Sequence, residues 1–308
     1  MPEISIVIPV YFNELNLIDL YKDLYEKVLI NVPSYEIVFI DDGSKDRSYE
    51  ILKGLKEKDR NIKVYKLSRN FGSHAAILAG LSKSTGKCAM VKAADLQEPS
   101  EMILDMYEKW RKGNNVVLAV RKDRNESKIQ KWFSNTYYKL MKKTALPNMP
   151  EGGFDCFLVD RKVIDVLEKM DEKNTSLMMQ VLWCGFKTEI VEYVRLKREK
   201  GKSKWTFSKK IKLVIDSLLS FSYLPIRLIS LFGIVFSFGS LIFLIYLILA
   251  KLLGYIDVSG WTTLMVVLLF TNGMIMTMLG VIGEYLWRTF DASRKRPVYI
   301  IEEYDQEI

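Results

Sequence analysis

The chain has 308 residues, 45 Lys and Arg against 37 Asp and Glu, a formal net charge of +8, one histidine and three cysteines. Cys88, Cys156 and Cys184 are scattered without CxxC spacing, and with His74 as the lone histidine they speak against a zinc centre. The positive balance suits anionic partners, and its concentration in residues 197–212 and 288–296, beside apolar segments, favours a membrane surface over nucleic acid.

The cysteines read as buried thiols in a reducing compartment, and His74 as a structural residue. A mean hydropathy near zero hides two unlike regions. Residues 1 to about 212 are charged and mixed and long enough to bury a core, whereas 226–287 are overwhelmingly apolar. The opening MPEISIVIPV enters a strand pattern at once, without the layout of a signal peptide.

Along the chain, Ile4–Val10 (ISIVIPV) is short, apolar and β-branched, as in a buried strand. A polar turn at 11–16 leads into 17–28, where Leu17, Leu20, Leu24 and Val28 recur at helical spacing. A second strand at 35–40 ends in Asp41-Asp42-Gly43-Ser44. A helix at 48–56, a strand at Ile62–Leu67 and a helix at 73–84 follow. A fourth strand at 88–93 runs into Asp95-Leu96-Gln97-Glu98-Pro99, then a helix at 99–112 with its proline in the first turn. A fifth strand is expected at 115–120, a helix at 128–142, a Pro/Gly loop at 147–153 and a strand at 190–195. This alternation predicts an α/β fold, a mostly parallel sheet with helices on both faces, with ligands at the carboxyl ends of its strands.

After a basic segment, 197–212, and an amphipathic stretch, 211–223, two apolar runs at 228–253 and 262–286 each exceed the ~20 residues that cross a bilayer. Glu284 is the one carboxylate inside them. The connecting loop carries Lys251 and Asp257, while Lys209, Lys210, Lys212 and Arg227 precede the runs and Arg288, Arg294, Lys295 and Arg296 follow them. Positive-inside bias puts both flanks, and hence the N-terminal domain and both termini, in the cytoplasm of a multi-pass protein of the cell membrane. The expected organisation is a cytoplasmic domain at 1–207, a juxtamembrane amphipathic region at 208–226, two spans at 227–290 and a cytoplasmic tail at 291–308.

Several signatures are absent. No GxGxxG follows the first strand, there is no HExxH, and Gly80 to Gly86-Lys87-Cys88 misses a phosphate loop by one residue of spacing and by Cys88 in place of Ser or Thr. What remains is a series of carboxylates at successive strand ends in a basic protein. Such groups hydrogen-bond a nucleoside or hold Mg²⁺ or Mn²⁺, and Asp95 with the carbonyl of Gln97, or with Glu98, offers oxygen ligands. Taken singly, Asp95 also suits a helix cap and Asp41 to Ser44 a turn.

Five runs occur in order: SIVIPVYFNE (5–14), EIVFIDDGSKD (36–46), LSRNFGSHAAILAGL (67–81), AADLQEPSEM (93–102) and REKGKSKW (198–205). Together they resemble the inverting GT-A glycosyltransferases, within them the dolichol-phosphate mannose synthase and bactoprenol glucosyltransferase group. That resemblance implies a GT-A, Rossmann-like domain and transfer of a sugar, with UDP-glucose the leading donor, to polyisoprenyl (undecaprenyl) phosphate for cell-envelope glycan modification. It implies Mg²⁺ or Mn²⁺ as cofactor. By motif, Pro9, Tyr11 and Glu14 would border the nucleoside, and Asp41 and Asp42 would contact base and ribose. Ala94, Asp95 and Gln97 would lie at the diphosphate, with Asp95 and Gln97 holding the metal. Arg121 would meet phosphate on both the nucleotide-sugar and the acceptor side, Lys131 and Ser134 the acceptor phosphate, and Arg198 and Lys204 would close over the diphosphate, acting with Asp95 in catalysis. The family's Asp-x-Asp is here Ala93-Ala94-Asp95, so the first metal carboxylate is missing. A scaffold that binds nucleotide-sugar without catalysis, and donors carrying GlcNAc, galactose or mannose, are the alternatives. Small residues in the apolar runs leave a homo-oligomer open.

Overall fold

The computed structural model describes residues 1–122, 128–170, 172–197, 200, 207–254 and 260–304. It divides into two compact units, Met1–Ser217 with Arg296–Ile308, and Leu218–Lys295.

The first unit is built on β1 (Ile4–Val10), α1 (Leu17–Lys27), β2 (Tyr35–Asp41), α2 (Ser48–Lys58), β3 (Ile62–Leu67), α3 (Ser73–Lys83), β4 (Cys88–Val91), α4 (Met102–Arg111), β5 (Val116–Arg121) and α5 (Lys128–Thr144). It continues through β6 (Cys156–Asp160), α6 (Arg161–Leu167), α7 (Leu177–Trp183) and β7 (Thr188–Tyr193) into α8 (Phe207–Phe221). The second unit holds α9 (Leu224–Leu252) and α10 (Trp261–Ser293), after which the chain returns to the first as β8 (Ile301–Tyr304).

Eight strands form one sheet in the order β7-β5-β6-β4-β1-β2-β3-β8. β1 pairs in parallel with β2 and β4, β2 with β3, and β5 with β7. β6 runs antiparallel between β4 and β5, and β8 antiparallel along β3. The sheet is therefore mixed but mostly parallel, as the alternating pattern predicted.

Period-two alternation explains the two covered faces. On one, Ile4, Ile6, Ile8 and Val10 of β1 join Leu17, Leu20 and Leu24 of α1, Leu52 and Leu55 of α2, and Ile103, Met106 and Tyr107 of α4 in a single buried cluster. On the other, Val7 meets α3. A Cβ added at Gly80 of α3 would sit 2.3 Å from Val7 Cγ1 and 3.2 Å from Ile40 Cγ1, so glycine is what lets this helix lie so close to the sheet.

Four elements went unforeseen: β6, α6, α7 and β8. β6 is five residues long and ends in Asp160, whose carboxylate already accepts the Lys162 amide at 3.0 Å as the N-cap of α6. A strand that passes directly into a helix leaves no turn signal between them. β8 lies in what the sequence presented as a tail. Its backbone pairs with β3, the Ser68 amide donates to Ile300 O at 3.0 Å, and the hydroxyls of Ser82 and Tyr299 lie 2.6 Å apart.

In the second unit, Leu224–Leu252 (29 residues, hydropathy 2.5) and Thr263–Ser293 (31 residues, hydropathy 2.1) are long and apolar enough to cross a membrane, and neither apolar stretch is buried within the molecule. At ~1.5 Å per residue each outreaches the ~30 Å hydrocarbon core. The two helices touch through Phe236 and Phe270, with ring centroids 5.5 Å apart.

Candidate active site

Because β1, β2, β3 and β4 are parallel, their carboxyl ends share one edge of the sheet. β5 and β7 end there too, and β6, being antiparallel, begins there, so Asp155 arrives at the same edge from the opposite chain direction.

The first two loops of this edge interlock. The Phe12 amide donates to Ser44 Oγ at 3.1 Å and the Asn13 amide to Ser48 Oγ at 3.0 Å, while Asp42 N–H donates to Val10 O at 2.8 Å. Pro9 lies within β1 opposite Ile40, and Tyr11 stands half-buried at the strand's end. Glu14 serves the neighbouring loop, its carboxylate accepting the Arg47 amide at 3.0 Å just before α2. Asp41 is fully buried and accepts the Ser44 amide; burial, outweighing those bonds, raises its carboxyl above the ordinary aspartate value. Asp42 accepts the Phe71 amide at 2.7 Å and the Gly72 amide at 3.0 Å, and so shapes the loop after β3. Gly43 is left-handed (φ +71°) with a Cβ position only 2.7 Å from Arg69 C, which draws the same two loops together. Asp41 and Asp42 thus build the walls at this edge, whatever else they touch.

The turn after β4 carries the densest polar network. Lys92 is fully buried and donates to Glu98 O at 2.6 Å, and the buried Glu98 carboxylate accepts the Ala93 amide at 3.1 Å. Burial raises the Glu98 carboxyl above its ordinary value, against the opposing pull of Lys92. Leu96 is left-handed (φ 56°), a conformation costing of order 1 kcal/mol or more that the surrounding bonds must hold. Ala94 packs into the apolar core. Asp95, half-buried, stands on the rim and accepts the Gln97 amide at 3.3 Å.

Gln97, which the motif assigned to the metal, has its side chain and carbonyl engaged by the segment after β7. Its side-chain oxygen accepts Arg195 Nη2 at 2.5 Å, its Nε2 donates to Leu196 O at 3.3 Å, and its own carbonyl accepts the Leu196 amide at 2.9 Å. A guanidinium already on the carboxamide oxygen repels a cation approaching it. Among the described residues no group of three His, Cys, Asp or Glu side chains forms a metal cage. Asp95 does fit: one carboxylate completed by substrate phosphates is a common way of binding Mg²⁺.

Arg121, expected at phosphate, is paired with a carboxylate. Asp155 binds its Nε and Nη2 in a bidentate pair and accepts the Tyr193 hydroxyl at 2.6 Å. Burial disfavours the Arg121 charge, but the Asp155 carboxylate more than compensates and holds the guanidinium above its usual value. Burial and then the Asp155 charge push the Tyr193 phenol well up, so it stays a donor. The guanidinium's charge is matched before any phosphate arrives. Ser134 is half-buried on α5; the side chain of Lys131, and all of Arg198 and Lys204, lie outside the described residues.

His74 is half-buried at the start of α3 with Nδ1 3.4 Å from Thr175 O, and loss of solvation lowers its pKa despite that bond. A depressed histidine contributes stability that is present above the unfolded value of ~6.5 and lost as pH falls through the folded one. As the chain has one histidine, His74→Asn is expected to flatten the loss of thermal unfolding midpoint between about pH 7 and pH 5; parallel curves for the two proteins would contradict this.

Lys92, Asp155, Tyr193 and Arg195 were missing from the sequence expectations. Lys92 had a signal, a lone charge in the run CAMVKA ahead of a carboxylate turn. Asp155 had none while β6 was unrecognised.

Residues 5–167 match the family model described as Glycosyl transferase family 2. The chain belongs to that family. This glycosyltransferase is 39% identical over 97% of its length to a Bacillus subtilis protein described as "Uncharacterized glycosyltransferase YkcC", of which 93% is covered. It is 36% identical over 97% of its length to the prophage bactoprenol glucosyl transferase homolog of Escherichia coli K12, of which 98% is covered. It is 33% identical over 99% of its length to the bactoprenol glucosyl transferase of Shigella phage SfV, of which 99% is covered. The mixed sheet with its flanking helices is the GT-A-like architecture of the glycosyltransferase, extended by two apolar helices.

Proposed function

We propose that this glycosyltransferase moves a sugar from a nucleotide-sugar, UDP-glucose first among the donors, onto a polyisoprenyl phosphate at the cytoplasmic face of the cell membrane. The observation that carries this reading is the reach of the likeness to bactoprenol glucosyl transferases. It covers 97–99% of the chain, the two apolar helices as well as the sheet. A likeness in the sheet alone would speak for sugar transfer but not for a lipid acceptor.

The site chemistry supports the same reading. Near neutral pH a lipid phosphate is already an anion and needs no strong base to attack the anomeric carbon. The work left to the protein is alignment and stabilisation of the departing nucleoside diphosphate. Pro9, Tyr11 and the loops shaped by Asp41 and Asp42 border the nucleoside; the turn at Asp95 faces the diphosphate. Asp95 is the residue that would hold a divalent cation, which supplies Lewis-acid charge to the leaving group when bound. Arg198 and Lys204 close over the same group, and attack from the opposite side inverts the anomeric centre.

α5 supports a bilayer partner. Trp132 and Phe133 are each 63% exposed and in contact, on a helix that carries Lys128, Lys131, Lys139, Lys142 and Lys143 and no carboxylate. Exposed aromatics among lysines suit an anionic interface, where each basic residue adds about 1 kcal/mol. Ser134 and Lys131, in the same segment of the sequence, are the contacts proposed for the acceptor phosphate.

Membranes holding the protein, given undecaprenyl phosphate and a panel of labelled UDP-glucose, UDP-GlcNAc, UDP-galactose and GDP-mannose, are expected to form one labelled lipid, from UDP-glucose. Label entering lipid from another donor would replace the sugar assignment; no labelled lipid from any donor would favour the binding-scaffold reading that Ala93 suggests.

A further inference from the structure

Two arginines reach the active edge in different electrostatic states. Arg121 is matched by the bidentate Asp155. Among the described residues Arg195, two residues beyond β7, meets the neutral carboxamide of Gln97 through Nη2 at 2.5 Å, while its Nε is buried with no hydrogen-bond partner. Among the described residues no carboxylate pairs with it. A buried guanidinium N–H without an acceptor is costly, and the cost is relieved when an anionic oxygen arrives. Gln97 is also the residue whose amide is bonded to Asp95, so Arg195 is tied to the turn that carries this carboxylate.

We propose that Arg195 receives the donor's diphosphate, beside the Arg198 and Lys204 that the sequence resemblance assigns to it, and that Gln97 is the positioning residue that aims it. This rests on the nucleotide-sugar reading above. It also accounts for the reduced acidic set. With Ala93 in place of a second metal carboxylate, a fixed guanidinium supplies positive charge that a weakly held metal ion would not. Gln97 suits the task because it is neutral: it orients the guanidinium through its oxygen and anchors residue 196 through its nitrogen without cancelling the charge.

The test is calorimetric binding of UDP and GDP to the full-length protein in nanodiscs, with Mn²⁺ and separately with EDTA, alongside direct Mn²⁺ binding. Arg195→Gln is expected to weaken nucleotide binding about tenfold to hundredfold in both conditions, as expected for loss of a charge-assisted contact. Arg195→Lys should recover part of the affinity. Gln97→Glu is expected to weaken nucleotide binding by pairing with Arg195, and to leave Mn²⁺ binding alone unchanged. If Arg195→Gln binds as wild type does, or if Gln97→Glu instead tightens Mn²⁺ binding, the assignment is overturned while the nucleotide-sugar reading stands. If wild type binds neither nucleotide, the underlying reading falls and the assignment with it.

Discussion

Asp95→Ala is expected to lower the rate of sugar transfer by about 10³-fold or more while the protein stays folded and in the membrane. The magnitude follows from removing the carboxylate proposed to hold a leaving-group cation, where single preorganised electrostatic contacts are worth 10²–10³. The fold should survive because Asp95 is half-exposed and its bond to the Gln97 amide is long, at 3.3 Å. Asp95→Asn keeps that acceptor and loses the charge, so it should be nearly as slow. Single-turnover transfer with saturating donor, with a thermal unfolding midpoint for each variant, checks both. Transfer near the wild-type rate in either variant would remove Asp95 from the chemistry.

Lys92→Met is expected to destabilise the first unit by ~2 kcal/mol, the scale of leaving a buried carbonyl without its charged donor. The ammonium is fully buried and donates to Glu98 O at 2.6 Å, and it is the opposite charge nearest in effect to the buried Glu98 carboxyl. Methionine fills the space but leaves that carboxyl without its cation and the carbonyl without its donor. Adding Glu98→Gln should restore part of the loss, because a neutral carboxamide still accepts the Ala93 amide bonded at 3.1 Å in the wild type. Unfolding midpoints of the four proteins of the cycle give the coupling. A Lys92→Met protein as stable as wild type would show that the network is ornamental to the fold.

The sheet from β1 to β5 was legible in the sequence because its strands are short, mostly apolar runs, rich in β-branched residues in all but β4, and the helices between them carry a 3.6-residue period. β6 was not, since Cys156–Asp160 abuts its helix and runs against its neighbours, contrary to the alternating pattern. β8 was not, since its pairing with β3 joins residues more than two hundred positions apart. The active edge was legible as a set of acidic strand ends, but individual roles were not. Motif spacing places Glu14, Gln97 and Arg121 at the edge without revealing that the Arg47 amide, Arg195 and Asp155 already engage them. Arg195 itself was overlooked because a single arginine in a basic segment has no distinguishing spacing; only its missing acceptor sets it apart.

The most direct measurement is transfer by the purified protein from labelled UDP-glucose to undecaprenyl phosphate in nanodiscs, with undecaprenol as the control acceptor. The expected outcome is a labelled lipid formed only from the phosphorylated acceptor, with one UDP released per sugar and the anomeric configuration opposite to the donor's. Equal labelling of undecaprenol, retained configuration, or UDP release with free glucose as the sole product would contradict direct attack by a lipid phosphate.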